Sequence, residues 1–125
     1  MSRLLVDTHA VLWWLTDDPG LSPTARETLA DPVNEPLVSA ATVWEIAIKR
    51  SLGKLTGPDD LPDRIADGGF GWLAVSAAHA WQVRDLPPHH PDPFDRLLVA
   101  QALVERVPIV TADTRFGDYG VDVRW

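Results

Sequence analysis

The sequence contains no cysteine among its 125 residues. This absence excludes a disulfide framework, a thiol nucleophile, an iron–sulfur cluster and a zinc site built on thiolates. A chain without cysteine fits a reducing compartment, so we predict a cytoplasmic protein.

Long hydrophobic runs are missing as well. The first apolar stretch, residues 4–6, ends at Asp7, and no later run approaches the roughly 18 to 20 apolar residues that a bilayer span requires. We therefore expect no signal peptide and no membrane partner. With 46% hydrophobic and 23% charged residues, the composition predicts a single domain over residues 1–125.

Positive charge is scarce. Lysine and arginine total 11 against 18 aspartate and glutamate residues, which gives a formal net charge of −7. That sign excludes a broad basic face for nucleic acid. A polyanionic partner would have to be met by a local basic patch or through a bridging cation.

Short apolar runs alternate with helical patterns along the chain. This alternation predicts a three-layer α/β/α domain with a central, mostly parallel sheet of four to five strands. The predicted strands cover residues 4–6, 36–39, 72–75 and 108–111, with a short edge strand within 121–125, and the main predicted helices cover 9–15, 23–30, 42–52, 77–86 and 93–106.

Four acidic residues, widely separated in sequence, fall at one edge of this predicted sheet. Asp7 follows the first strand, and Asp113 lies two residues past the fourth. Glu45 and Asp95 lie near the starts of two helices. Because strand carboxyl ends and helix N-termini meet at the same edge of a parallel sheet, we expect the four carboxylates to converge.

Each acid also has a purely structural explanation. Asp7 can cap a helix, Asp113 can stabilise a turn, and Asp95 is favoured by the helix dipole. Glu45 has Lys49 four residues later, which is typical of a surface ion pair worth a few tenths of a kcal/mol. Together, however, charges about 5 Å apart repel by roughly 3 kcal/mol at an effective dielectric near 20, so converging carboxylates indicate a bound cation.

Oxygen ligands without sulfur favour a hard cation, Mg²⁺ or Mn²⁺, over zinc. Such ions commonly serve phosphate chemistry, because they lower the pKa of bound water and neutralise phosphate oxygens. The acidic residues therefore predict metal-dependent hydrolysis of a phosphodiester.

Four segments resemble a known family. They are LVDTHA at residues 5–10, SAATVWEIAIK at 39–49, DPFDRLLVAQA at 92–102 and VTAD at 110–113. In this order they resemble the PIN domain, specifically the VapC-type toxins of type II toxin–antitoxin modules. The resemblance spans nearly the whole chain, and its most specific part is the tryptophan–glutamate helix followed by the DPFDR segment.

The resemblance implies a compact α/β/α endoribonuclease that depends on Mg²⁺ or Mn²⁺. It also implies a homodimer that is silenced by a small antitoxin bound across the active site. The residues that match the family's catalytic and metal-binding acids are Asp7, Glu45, Asp95 and Asp113, which we call the acidic quartet.

On the substrate side, the resemblance implies that Thr8 and Thr111 orient metal-bound water or phosphate. Arg96 and Lys49 are further candidates for binding RNA. One position departs from the family, since many members carry an acid two residues after the last quartet position, where this chain has Arg115. That departure argues against a fully occupied second metal site.

Three other functions remain open from the residues. A phosphatase of the haloacid dehalogenase type requires a second aspartate where His9 stands, and a phosphoacceptor receiver domain requires a lysine near Thr111 and Ala112. A non-catalytic interaction module would use its acids only as caps and its six tryptophans as a contact surface.

Tryptophans and histidines complete the candidates. Trp13, Trp14 and Trp44 fall at apolar helix spacing, which predicts packing in the core or in a dimer interface. His79 is expected to be structural. The role of His89 and His90, in a proline-rich loop just before Asp92, is left open.

Overall fold

The computed structural model describes residues 2–125 and contains a five-stranded sheet with the order β3-β2-β1-β4-β5. Every strand pair in it is parallel, and the central strand places Leu5 beside Leu37 on one side and Ile109 on the other. The strands are β1 (Ser2–Val6), β2 (Asn34–Ser39), β3 (Gly71–Leu73), β4 (Ile109–Val110) and β5 (Val123–Arg124). The predicted parallel sheet and its short C-terminal edge strand are confirmed.

Two hydrophobic clusters cover the two faces of the sheet. Successive side chains of β1 alternate between them, since Leu4 and Val6 belong to one cluster and Leu5 to the other. All three side chains are at most 1% exposed. This arrangement confirms the predicted three-layer α/β/α architecture.

The helices begin at capping side chains that the sequence makes recognisable. Ser22 accepts the N–H of Ala25 at 3.0 Å, so α2 begins at Pro23 as predicted. The helices are α1 (Thr8–Leu15), α2 (Pro23–Ala30), α3 (Ala40–Ser51), α4 (Leu61–Asp67), α5 (Ala77–Gln82) and α6 (Pro93–Glu105). None of these helices is both long and apolar enough to cross a membrane.

Two short 3₁₀ segments change the predicted pattern. The helix predicted over 77–86 ends at Gln82 and continues as a 3₁₀ turn, Val83–Asp85, ahead of the prolines. A second 3₁₀ segment, Thr114–Tyr119, follows β4 and was not predicted. Such turns lack the apolar repeat of an α-helix, so periodicity does not reveal them.

The predicted burial holds for some of the tryptophans and for His79, but not for all of these residues. Trp13 and Trp14 are half-buried against the core, as expected. Trp44 is 59% exposed, so core packing is wrong for this residue. His79 is buried, where its Nδ1 accepts the N–H of Ser76 at 3.0 Å and its Nε2 lies 2.9 Å from Glu105, which confirms a structural role.

Candidate active site and metal centre

The acidic quartet converges at the carboxyl edge of the sheet. Its convergence is clearest at Asp95, whose pKa is raised to about 7 by burial and then by the charges of neighbouring acids. Those acids are Asp92 and the other three quartet members, Glu45, Asp7 and Asp113. The geometry agrees with this convergence, since ligand oxygens of Asp95 and Asp113 lie within 4.8 Å of each other and the Thr111 hydroxyl bridges Asp7 to the backbone of Asp113.

Asp7 is held directly after β1 by two hydrogen bonds. Its Oδ1 accepts the N–H of Ala10 at 2.8 Å, which makes Asp7 the N-cap of α1. Its Oδ2 accepts a hydrogen bond from the hydroxyl of Thr111 at 2.5 Å, and that hydroxyl accepts the N–H of Asp113 at 3.0 Å. Burial raises the pKa of Asp7, and these hydrogen bonds only partly oppose the rise.

Glu45 is only 3% exposed and lies two residues deeper in its helix than expected. The reason is that Ser39, at the end of β2, caps α3 and starts the helix at Ala40. The hydroxyl of Thr8 donates to Oε1 of Glu45 at 2.7 Å, and Lys49 Nζ donates to Oε2 at 2.5 Å. This pairing raises the pKa of Lys49.

Asp113 is saturated by donors from the protein. The N–H and Nε of Arg115 both donate to its Oδ1 at 3.0 Å, while Arg115 Nη2 and His90 Nε2 approach Oδ2 at 2.8 and 2.9 Å. These bonds, those from Arg115 above all, lower the pKa of Asp113 to about 2. Arg115 thus places a positive charge directly against the Asp113 carboxylate.

Asp95 is in the opposite situation. Among the described residues no donor forms a hydrogen bond to its carboxylate, and Nε2 of His90 approaches Oδ2 at 3.1 Å. Its ligand oxygen lies within 4.8 Å of that of Asp113, where two full charges repel by about 3 kcal/mol at an effective dielectric of 20. A bound cation would relieve this crowding.

The donor set fits a hard divalent cation. The quartet offers carboxylate oxygens, and no thiolate exists in the chain. The tightest group of possible ligand atoms combines Asp95 and Asp113 with His90. No role for His90 was predicted from the sequence. The sequence feature that could have placed it at the site is its position two residues before Asp92, the N-cap of α6.

Arg96, a predicted substrate-binding residue, is bonded to the loop that precedes α6. Its guanidinium donates to the carbonyl oxygens of Pro87 at 2.9 Å and Leu86 at 3.1 Å, and to the hydroxyl of Tyr119 at 3.3 Å. These contacts assign Arg96 to holding the loop in front of α6. A guanidinium satisfied by loop carbonyls has few donors left for a phosphate.

An open cleft of about 290 Å³ lies beside two members of the quartet. It is bordered by the exposed His9 and the half-buried Trp13. The cleft therefore gives solutes access to the acidic edge from the side of α1. Its full lining is Asp7, His9, Trp13, Ala112 and Asp113.

Comparison with known proteins identifies the family that this chain resembles. The PIN domain model matches residues 4–121. Ribonuclease VapC22 of Mycobacterium tuberculosis is 28% identical over 123 residues, covering 92% of this chain and 90% of that protein. Ribonuclease VapC16 of the same organism is 43% identical over 58 residues, but the match covers 43% of this chain and 41% of that protein.

Solved structures show the same fold at low sequence identity. VapBC2 from Rickettsia felis, bound to a DNA fragment from its promoter, contains a chain that matches with a TM-score of 0.71. The two chains are 15% identical, and the match covers 97% of this chain and 96% of the other.

Proposed function

Since the chain belongs to the PIN domain family, we propose that it is a single-domain, Mg²⁺- or Mn²⁺-dependent endoribonuclease and the toxin of a type II toxin–antitoxin pair. The observation that carries this proposal is the convergence of the acidic quartet at one sheet edge, where burial and the charges of the neighbouring acids raise the pKa of Asp95 to about 7. The names of the relatives, ribonucleases VapC22 and VapC16, support RNA as the substrate.

The residues of the quartet differ in what they offer a cation. Asp95 accepts no hydrogen bond from the described residues, and Asp7, at the end of β1, is one of the acids whose charge raises the pKa of Asp95, so these two would be the principal ligands. Glu45 and Asp113 complete the negative site. A divalent cation held there would lower the pKa of a bound water and neutralise a phosphate oxygen during hydrolysis.

The hydroxyl and basic residues hold this site in shape. Thr111 donates a hydrogen bond to Asp7, while Thr8 and Lys49 donate to Glu45. Each of the three residues therefore binds a quartet carboxylate directly. A role of the same three residues in binding substrate stays a prediction. Arg115, whose side chain is 51% exposed, adds a positive charge at this edge through its pairing with Asp113.

We further propose a small antitoxin partner, a homodimer and a cytoplasmic location. The likeness of this chain to one chain of VapBC2 from R. felis supports the antitoxin. Exposed tryptophans support subunit contacts, since Trp44 and Trp81 are 59% and 68% exposed. An RNA substrate and the absence of cysteine fit the cytoplasm.

The proposed activity is tested with a panel of structured RNAs incubated with Mg²⁺, with Mn²⁺ and with a chelator. We expect specific cuts with either metal ion and none with the chelator. Release of phosphate from small phosphomonoesters would instead favour a phosphatase. RNA binding without metal-dependent cleavage would indicate a non-catalytic module, and either result would contradict the nuclease.

Glu45→Gln distinguishes a metal-site residue from a structural ion pair. The glutamine can still accept the Thr8 hydrogen bond, so we expect the free energy of unfolding to change by less than about 1 kcal/mol. Cleavage should fall by at least about 100-fold, because one charge of the metal site is removed. Urea melts and cleavage rates measure the two effects.

Glu27→Gln is the matched control, because Glu27 is an exposed helical glutamate on α2. It should leave both quantities unchanged. A loss of stability in Glu45→Gln with undiminished cleavage would show that the ion pair with Lys49 is the whole role of Glu45.

A further inference from the structure

His90 enters the acidic edge from the proline-rich loop between α5 and α6, and it is 4% exposed. Its Nε2 donates to Oδ2 of Asp113 at 2.9 Å and lies 3.1 Å from Oδ2 of Asp95. These carboxylates come from different elements, since Asp95 belongs to α6 and Asp113 follows β4. One ring nitrogen thus faces two members of the quartet.

The other ring nitrogen fixes the protonation pattern. The backbone N–H of Asp92 donates to Nδ1 of His90 at 3.1 Å, so the Nδ1 lone pair is in use. The neutral ring therefore carries its proton on Nε2. In this tautomer Nε2 has no free lone pair for a cation, so His90 acts on the carboxylates as a donor and is not itself a metal ligand.

The ring and the loop that carries it are firmly placed. The His90 ring packs edge-on against Phe116, with the centroids 5.8 Å apart. The backbone N–H of His90 donates to the hydroxyl of Tyr119 at 2.8 Å. Arg96 donates to the same hydroxyl at 3.3 Å and to the carbonyl of Pro87 at 2.9 Å, which ties the loop to α6.

We propose that His90 is a positioning residue: its Nε2–H, which donates to Oδ2 of Asp113 and lies 3.1 Å from Oδ2 of Asp95, keeps the two carboxylates at a fixed separation and thereby shapes the metal-binding edge. The role rests on the proposed function of that site. Without this N–H between them, like charges on the two carboxylates drive them apart, and the site must be reordered before a cation binds. Groups that orient metal ligands in this way typically change metal affinity or activity by 10- to 100-fold.

Two substitutions separate the Nε2–H from the rest of the ring. Asparagine at position 90 keeps an acceptor near Nδ1 for the Asp92 N–H but loses the donor at Nε2. Glutamine places an amide N–H close to the Nε2 position. The matched control is His89→Asn, since His89 is exposed and its ring packs on Tyr119.

The primary measurement is the dissociation constant of the full-length protein for Mn²⁺, by calorimetry without RNA. We expect His90→Asn to raise it about 10-fold and to lower kcat for RNA by at least about 10-fold, while KM changes less than about threefold. His90→Gln should recover most of both losses. His89→Asn should behave as the unsubstituted protein, and thermal melts verify that each variant is folded.

An unchanged or lowered dissociation constant for Mn²⁺ in folded His90→Asn overturns the proposal. So does a His90→Gln variant that binds Mn²⁺ as poorly as His90→Asn, because the ring and not its N–H would then be required. If His90→Asn fails to fold, His90→Gln must still bind Mn²⁺ within about threefold of the unsubstituted protein. The calorimetric result stands even if no RNA is cut, so its failure is distinguishable from failure of the nuclease assignment.

Discussion

Asp95→Asn is expected to abolish RNA cleavage and, in the presence of a chelator, to stabilise the fold. The variant loses a principal metal ligand, and we expect at least about a 1000-fold lower rate at neutral pH. It also loses a carboxylate whose pKa burial and the charges of the neighbouring acids raise to about 7. After discounting for the part of Asp95 that reaches solvent, the gain in unfolding free energy at pH 8 is about 2 kcal/mol.

The same shift predicts the pH dependence of stability without divalent cations. The folded state holds the Asp95 proton up to about pH 7, whereas the unfolded chain releases it near 3.8. The folded state therefore binds more protons between these values, and stability falls as pH rises through this window. Asp7, whose pKa is also raised, acts in the same direction, whereas the lowered pKa of Asp113 affects stability only below about pH 4.

Other charges near Asp95 determine how strongly the stability depends on pH. Asp92, Glu45, Asp7 and Asp113 raise its pKa. The cations at the same edge, Lys49 on α3 and Arg115 in the 3₁₀ segment, already pair with Glu45 and Asp113. Nε2 of His90 faces Asp95 from the loop.

Urea melts at pH 5 and pH 8 in chelator, together with cleavage assays in Mg²⁺, measure both consequences of Asp95→Asn. The unsubstituted protein should be more stable at pH 5, and the variant should lose much of that difference. Asp67→Asn, at an exposed position of α4, is the control and should change neither quantity. Full cleavage by Asp95→Asn, or a variant less stable than the unsubstituted protein at pH 8, would show that Asp95 is not part of the metal site.

Asp7→Asn tests the other principal ligand. Asparagine is as good an N-cap as aspartate, so α1 keeps its capping residue, and the buried charge is removed. We expect a comparable loss of cleavage with an intact or slightly more stable fold.

The convergence of the quartet was predictable because it depends on topology alone. Asp7 and Asp113 follow parallel strands, and Glu45 and Asp95 lie near helix starts, so one sheet edge collects all four. The partners of these acids were less predictable. Whether Lys49 forms a surface pair or a buried one depends on the depth of Glu45, which the position of the α3 cap decides.

Contacts made by loops were beyond sequence reasoning. Arg96 was expected to bind substrate, but it holds the carbonyl of Pro87, because the preceding loop folds back onto α6. His90 reaches the site through the same loop. Tyr119, which anchors His90, lies in a 3₁₀ segment that has no periodic signature. Tertiary geometry, and not local pattern, places these three side chains.

The inhibitory partner is predicted to present an arginine to the acidic edge. A guanidinium pairs with carboxylates through two parallel hydrogen bonds, and a site with a net negative charge accepts it in place of a metal ion. The acidic edge already binds one guanidinium, since Arg115 pairs with both carboxylate oxygens of Asp113. Asp95 still has no such partner, and the cleft bordered by His9 and Trp13 leaves the edge open.

We therefore expect the product of the adjacent reading frame to bind this chain and to lower RNA cleavage by at least about 100-fold, because it blocks the cation site itself. Replacing its inserted arginine with alanine should restore cleavage while the two chains still co-purify, since apolar contacts on α1 and α2, including Trp13 and Trp14, would hold the complex together. Replacement with lysine, which keeps the charge but loses the planar fork, should restore only part of the rate. A complex that co-purifies yet cleaves RNA at the full rate would show that the partner covers another face, because an arginine on Asp95 and a working metal site exclude each other.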